Sequence, residues 1–141
     1  MLVDTLDINR KLREHDILPT RQRQSIAAVL LARPQHLSAD QVLDAVRQEG
    51  VSVSKATIYN TLGLFARKGL VREVFVDASK VFYDSTTRPH HHIYNIDTAT
   101  LIDLDSDCLD VDKLPVLPPN TIIDGVEVVV RVRGKLPGDA C

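Results

Sequence analysis

The sequence predicts an α+β protein that is mainly helical in its first part and rich in strands in its last part. Apolar residues recur at helical spacing in four segments before residue 68 and alternate with polar residues in several short segments after it. Prolines, glycines or N-capping side chains stand at most junctions between these segments. With 141 residues, 44% hydrophobic and 26% charged, the chain can bury a core as one domain or two small ones.

The four predicted helices cover residues 4–16, 21–32, 38–50 and 54–67. Pro19 separates the first from the second, because a proline disfavours helix in the residue before it. Thr20 is a suitable N-cap for the second helix, and Pro34 follows its end. The third begins with the capping-box pattern Ser38-Ala-Asp-Gln41. Each helix therefore has its own start or stop signal.

The fourth helix has an apolar side that faces the core and a polar outer side. The outer residues near its N-terminus suit either a major-groove reader or an ordinary solvated face; they are Ser54, Lys55, Thr57, Tyr59, Asn60 and Thr61. Residues 70–76 and 81–83 then alternate as two strands around a polar turn, although such a hairpin could also belong to a core. Several helices followed by a short polar hairpin are the layout of a winged helix-turn-helix, which predicts DNA binding.

Charge and cysteine content narrow the possible functions. Residues 1–88 have 13 Lys and Arg against 10 Asp and Glu, whereas residues 89–141 have 4 against 9, so only the first part is expected to meet a polyanion. Two cysteines without a C-x-x-C pair favour the reducing cytoplasm and argue against a cysteine zinc site. The sequence predicts no membrane span and no secretory signal. It has no H-E-x-x-H, Ser/His/Asp set or phosphate-cradling glycine loop, so an enzyme is not expected.

Three consecutive histidines precede the first strand of the last part. In an extended chain His90 and His92 project to one side and His91 to the other. Two converging imidazoles are the beginning of a metal site, and the alternative is a solvated polar turn.

The back half contains three predicted strands, residues 93–96, 100–104 and 121–133, the last of them interrupted at Asp124-Gly125. The segment 105–112 between them is predicted to be an acidic loop, with a hard-cation site as a weaker alternative. A three-stranded unit of this size is marginal alone, and an exposed apolar edge invites pairing with another copy. We therefore expect a C2 homodimer on a palindromic DNA site.

The residues resemble the ferric uptake regulator (Fur) superfamily of metal-responsive repressors over roughly residues 10–133. The shared phrases are Leu18-Pro-Thr-Arg-Gln-Arg23, His36-Leu-Ser-Ala39, Ser54-Lys-Ala-Thr-Ile-Tyr-Asn-Thr-Leu62, Gly69-Leu-Val71 and the histidine cluster. Within the superfamily the chain is most similar to the iron response regulator (Irr) branch, which senses iron through haem. The phrases that indicate this branch are Tyr59-Asn-Thr-Leu62, Phe82-Tyr-Asp84, His90-His-His92 and Val128-Val-Val-Arg-Val-Arg133.

The resemblance implies a winged-helix DNA-binding domain at residues 1–84, a hinge at 85–89, and a small α/β dimerisation and metal- or haem-sensing domain at 90–141. It implies one divalent ion per chain (Zn, Fe or Mn), haem, or both. The implied metal ligands are His36, His90, His92 and Asp103, with His91 and Tyr83 as haem or extra ligands. No structural zinc site made of four cysteines is expected, because Asn95 and Thr98 occupy the positions of its first cysteine pair.

The resemblance also implies a DNA surface. Tyr59 matches a tyrosine that contacts thymine, Thr57 and Ser54 lie on the same helix face, and Lys55 and Asn60 flank them. Asn60 stands where many relatives have arginine, and Leu18 stands where they have a minor-groove lysine. Arg21 and Arg23 are expected to contact phosphates, and the predicted target is an A/T-rich inverted repeat.

The predicted function is a cytoplasmic, dimeric transcriptional repressor of iron or haem homeostasis whose DNA binding responds to a metal ion or haem. One alternative is a constitutive winged-helix protein with a vestigial metal site. The other is a small metallohydrolase.

Overall fold

The computed structural model describes residues 4–77, 79–104 and 116–139. The chain divides into two compact units, Met1–Thr87 and Arg88–Cys141, which are described separately. The predicted acidic loop at 105–112 and both cysteines, Cys108 and Cys141, lie outside the described residues. None of the helices in the described part of the chain is long and apolar enough to cross a membrane.

The first unit contains the four predicted helices, α1 (Thr5–Glu14), α2 (Arg21–Leu31), α3 (Ala39–Gln48) and α4 (Lys55–Arg67). At the start of each helix the side-chain oxygen of the N-cap residue accepts a backbone N–H from the first turn; the caps are Asp4, Thr20, Ser38 and Ser54 in turn. The capping box at α3 is confirmed, since Ser38 and Gln41 bond reciprocally. After α3 and α4 the chain turns at Gly50 and Gly69, which adopt φ of +80° and +77°. Glycine reaches this left-handed region without the Cβ clash that other residues suffer.

One hydrophobic core joins the four helices. Each contributes side chains with no more than 1% exposure: Ile8, Leu12, Ile26, Leu30, Val42, Val46, Ile58, Leu62 and Phe65. Burying one side chain of this size contributes about 1.5–3 kcal/mol to the free energy of folding. The shared core therefore stabilises the packing of the four helices. This rigid body fixes where α4 presents its outer face.

A three-stranded sheet completes the first unit, with β1 (His36–Ser38), β2 (Arg72–Asp77) and β3 (Lys80–Asp84) in the order β1-β3-β2. All pairs are antiparallel. The hairpin of β2 and β3 corresponds to the predicted one. Strand β1 was not predicted, because three residues between Pro34 and a helix cap are too short for alternation to register.

The second unit is a sheet of β4 (His91–Asn95), β5 (Thr100–Leu104) and β6 (Val129–Val132), in the order β5-β4-β6. β4 pairs antiparallel with β5 and parallel with β6. The predicted strand at 121–133 was too long, since only its last part pairs with β4. Residues 121–128 resemble a strand because four of them are β-branched apolar residues, yet Ile122 is 90% exposed and has no burial to hold it in a sheet.

Candidate metal-binding and DNA-binding sites

His36 and Asp84 form a pair of facing side chains within the first unit, an imidazole and a carboxylate. The register of β1 on β3 sets them directly opposite each other, and His36 Nε2 lies 3.3 Å from Asp84 Oδ2. The Asp84 side chain is 1% exposed, and its Oδ1 accepts the backbone N–H of Thr86 at 2.8 Å. One carboxylate oxygen is thus occupied by backbone while the other faces the imidazole.

Ser85 holds the two strands in this register where β3 ends. Its Oγ accepts the backbone N–H of Gln35 at 3.1 Å, and its own backbone N–H donates to the Gln35 carbonyl at 3.2 Å. Its hydroxyl also lies 3.3 Å from the Arg33 carbonyl. Because Gln35 precedes His36 and Ser85 follows Asp84, these bonds fix the backbone on which both ligands stand.

His90, His92 and Asp103 form a second set, within the second unit. His90 Nε2 is 3.0 Å and His92 Nε2 3.6 Å from the same oxygen, Asp103 Oδ1. The pairing of β4 with β5 sets His92 opposite Asp103. The two imidazole rings lie 4.4 Å apart, and the His92 side chain is fully buried. The prediction that His90 and His92 project together is confirmed.

The hydrogen bond on the far side of the His90 ring tests whether a metal ion suits this set. His90 Nδ1 lies 2.8 Å from the Arg88 carbonyl, which can only accept, so Nδ1 carries a proton. A neutral His90 therefore directs the lone pair of Nε2 at a carboxylate oxygen, and that approach is repulsive unless a cation lies between them. Either a proton or a metal ion satisfies this arrangement, and a second hydrogen bond of this type is common in metal-ligating histidines.

The chemistry of the three donor side chains also suits a metal ion. The ligand atoms of His90, His92 and Asp103 lie within 4.8 Å of one another. Imidazole and carboxylate are ligands of Zn²⁺, Fe²⁺ and Mn²⁺, and the set contains no soft thiolate. The described residues thus contain a possible His/Asp metal site.

Tyr83 faces away from the His36–Asp84 pair of its own unit, and His91 faces away from His90 and His92 within the second unit. Tyr83 lies in the hydrophobic core of the first unit, on the face of β3 opposite to Asp84. Its burial, together with the nearby Glu73 carboxylate and Tyr59, raises the pKa of its phenol. His91 projects from the other face of β4, where its Nδ1 accepts the backbone N–H of Val128 at 3.1 Å. Tyr83 therefore does not extend the His36–Asp84 pair, and His91 does not extend the set of His90, His92 and Asp103.

Asp84 is the residue that the sequence did not assign. The sequence assigned Tyr83 as a haem or extra ligand, whereas the carboxylate of Asp84 comes one position later. The available signal was the alternation of β3, because a Tyr83 that faces the core sends Asp84 to the other side.

The predicted DNA residues lie around the start of α4, and two of them bond to each other. Ser54 Oγ accepts the backbone N–H of Thr57 at 3.1 Å and donates to Thr57 Oγ1 at 2.9 Å. The Tyr59 side chain is 47% exposed, and Asn60 is exposed. Lys55 Nζ lies 5.9 Å from the centroid of the Tyr59 ring. Ser54 and Thr57 thus form the helix cap, while Tyr59, Asn60 and Lys55 reach solvent.

The two predicted phosphate contacts differ in their surroundings. Arg21 opens α2 and is exposed. Arg23 is half-buried and donates from its Nη1 to the Leu18 carbonyl at 2.9 Å. Arg23 therefore braces the loop before α2, and this bond uses one of the five N–H donors of its guanidinium.

Comparison with known proteins decides the family. The sequence profile of the ferric uptake regulator family matches residues 14–117. The chain belongs to this family. Members of the family are transcriptional regulators, so the predicted family and the prediction of a regulator rather than an enzyme are confirmed.

Named relatives of this Fur-family chain include peroxide-responsive repressors called PerR. The one from Staphylococcus saprophyticus is 32% identical over 99 residues, or 70% of this chain and 67% of the relative. That from Staphylococcus aureus is 37% identical over 82 residues, or 58% and 55%. The matched region thus spans between about half and two thirds of the length of these curated relatives.

Solved structures confirm the α+β fold. The ferric uptake regulator of Pseudomonas aeruginosa with manganese superposes with a TM-score of 0.69 at 27% identity, covering 91% of this chain and 98% of that one. The Fur protein of Vibrio cholerae superposes with a TM-score of 0.72 at 21% identity, covering 89% and 98%. The latter supports the fold alone.

Proposed function

We propose that this chain is a dimeric, sequence-specific transcriptional regulator whose DNA affinity depends on a bound metal ion. The observation that supports the metal most directly is the close approach of His90 and His92 to one oxygen of Asp103, at 3.0 and 3.6 Å. The DNA-binding part of the proposal rests on family membership and on the exposed outer face of α4.

We further propose that the pair in the first unit and the trio in the second serve one ion. Three donors from the trio are too few for the four ligands of a structural zinc ion, and the two of the pair are fewer still. Together they offer five donors, His36, Asp84, His90, His92 and Asp103, a number that suits Fe²⁺ or Mn²⁺ as well as zinc. Ligands drawn from both units would make ion binding restrict how α4 is presented.

The proposed division of labour follows the two units. Residues 1–84 would bind DNA, with Tyr59 and Asn60 at base edges and Arg21 and Arg23 at phosphates. Residues 85–89 would act as a hinge, and residues 90–141 would sense the ion and dimerise. The proposed DNA target is an A/T-rich inverted repeat. The proposed location of the protein is the cytoplasm.

Dimerisation through the second unit is supported by an apolar sheet face. Ile93 pairs with Ile102 on one side and Val130 on the other, so these side chains share a face. The exposed fractions are 55% for Ile102, 37% for Val130 and 38% for Val132. A contiguous apolar face of this kind suits a second copy of the same chain, which matches the two-fold symmetry of an inverted repeat.

We propose iron as the physiological ion, on the similarity to the Irr branch, and an inorganic ion in preference to haem. Haem ligation by Tyr83 would require a phenolate, which its burial and the neighbouring Glu73 disfavour. Ligation by His91 through Nδ1 would cost the bond from Val128. A His90→Ala/His92→Ala variant separates an inorganic ion from haem. It should lose its metal, and its haem binding is followed by haemin titration in the Soret band. Unchanged 1:1 haem binding by this variant would favour haem.

Peroxide response is the second candidate. The observation that favours it is the name of the relatives, peroxide-responsive repressors at 32% and 37% identity. The histidines and carboxylates of this site would hold the ion, and iron in the ferrous state would supply the electrons for peroxide reduction, which would give this site a second signal. If the protein responds to iron, its DNA affinity should follow metal supply alone. If it responds to peroxide, brief peroxide treatment should change the DNA affinity of the iron-loaded protein but not that of the manganese-loaded protein.

A DNA-shift assay tests the proposal. The duplex is one that the native protein selects from a random library, and the protein is used after chelation and with Mn²⁺, Zn²⁺, Fe²⁺ or haemin. We expect metal to change the affinity, with no effect of chelation on the His90→Ala/His92→Ala variant. Equal affinity in every state would contradict metal control and leave a constitutive DNA-binding protein.

A further inference from the structure

Lys55, the first residue of α4, contacts an acidic residue of the neighbouring helix. Its Nζ lies 3.5 Å from Oδ1 of Asp40, which stands in the first turn of α3. The two side chains are 62% and 70% exposed, so their attraction contributes little to folding. The same ammonium lies 5.9 Å from the centroid of the Tyr59 ring. An acidic residue thus pairs with Lys55, one residue of the proposed DNA surface, and Lys55 in turn lies near Tyr59, another.

A carboxylate in this place opposes DNA binding. Binding to random DNA is almost entirely electrostatic, and each lysine that meets a phosphate releases counterions. A lysine that is already neutralised by Asp40 contributes one such contact fewer, and the carboxylate itself repels phosphates. On the correct sequence the Tyr59 ring would engage a base. Because the Lys55 ammonium lies 5.9 Å from the centroid of that ring, base binding would change the surroundings of Lys55 at the same step.

We propose that Asp40 withholds Lys55 from the phosphates of random DNA and releases it only on the selected operator, so that Asp40 sets sequence specificity. This rests on the proposed binding of DNA through α4. Asp40 is a positioning residue that acts through Lys55, and its effect should be visible in salt dependence rather than in stability.

The matched variants are Asp40→Asn and Asp44→Asn. Asp44 is exposed one turn further along α3, so both changes remove one negative charge from the same helix. Affinities of the full-length, metal-loaded proteins are measured by fluorescence anisotropy at several salt concentrations. The two probes are the selected operator and a scrambled duplex of equal composition.

For the scrambled duplex, Asp40→Asn should steepen the slope of log affinity against log salt by about 0.9, one added phosphate contact. This corresponds to an affinity gain over the native protein of about eightfold for each tenfold dilution of salt. The operator slope should stay at the native value, and Asp44→Asn should leave both slopes unchanged. Adding Lys55→Gln to Asp40→Asn should return the scrambled-duplex slope to the native value. Thermal melting should be alike for all variants.

The outcomes separate this inference from the proposed function. If the native protein selects and binds an operator but Asp40→Asn and Asp44→Asn behave alike, Asp40 has no such role. The same holds if Asp40→Asn steepens both slopes equally or if Lys55→Gln fails to reverse the change. If the native protein binds no duplex in any metal state, the proposed function itself fails and this inference with it.

Discussion

Asp84 and His36 face each other across β1 and β3, with the fully buried carboxylate 3.3 Å from the imidazole. A buried aspartate is costly unless its charge is compensated. Its remaining oxygen is directed at a residue type that can bind a metal ion. This arrangement favours Asp84, rather than the neighbouring Tyr83, as the proposed metal ligand at the end of β3.

Asp84→Asn should weaken metal binding by at least about 10–100-fold, since losses of that size follow even the removal of residues that only support a ligand. The amide keeps the shape but removes the charge. Tyr83→Phe is the matched control, because it changes the adjacent residue and should leave the affinity unchanged. Both are measured by competition with a chromophoric chelator for Mn²⁺ or Zn²⁺. A large loss in Tyr83→Phe with none in Asp84→Asn would reverse the assignment.

Ser85→Ala should also weaken metal binding, by roughly tenfold, although Ser85 itself is not proposed to touch the ion. The change removes the acceptor for the Gln35 N–H and frees the backbone on both sides of the His36–Asp84 pair. Ser85→Thr retains the hydroxyl and should restore most of the affinity. The chelator competition is run well below the melting temperature of each variant. Equal affinities for native protein and Ser85→Ala would show that the strands hold their register without this side chain.

How much of this could be predicted from the sequence differs between residues. The caps at Thr20 and Ser38 and the common side of His90 and His92 follow from local rules, and those predictions were accurate. Asp84 was missed because its role depends on pairing with β1, a strand of three residues that local pattern does not reveal. The strand predicted at 121–133 was too long for a related reason, since pairing with β4 rather than apolar content decides where β6 begins.

Alkaline pH should destabilise the native protein through Tyr83. Burial, with Glu73 and Tyr59, raises the pKa of its phenol above the ordinary value of 10.0, so the folded state holds this proton more tightly than the unfolded chain. Its contribution to stability is complete below about pH 10 and is lost as the pH rises through the folded-state pKa. Tyr83→Phe has no such proton to lose. Its free energy of unfolding, from urea titrations at about pH 9 to 11, should fall less steeply than that of the native protein. Parallel declines would contradict this.

Ser54→Ala tests whether Ser54 acts on DNA or on its own helix. Because both the acceptor and the donor of its hydroxyl are engaged with Thr57, we expect its main role to be the N-cap of α4. Removing the cap should cost about 0.5–2 kcal/mol of unfolding free energy. Ser54→Asn supplies another good cap and should restore stability and DNA affinity together. Tyr59→Ala offers the contrast, since it should weaken DNA binding without altering the cap. If Ser54→Asn recovers stability but not affinity, the serine hydroxyl reads the DNA directly.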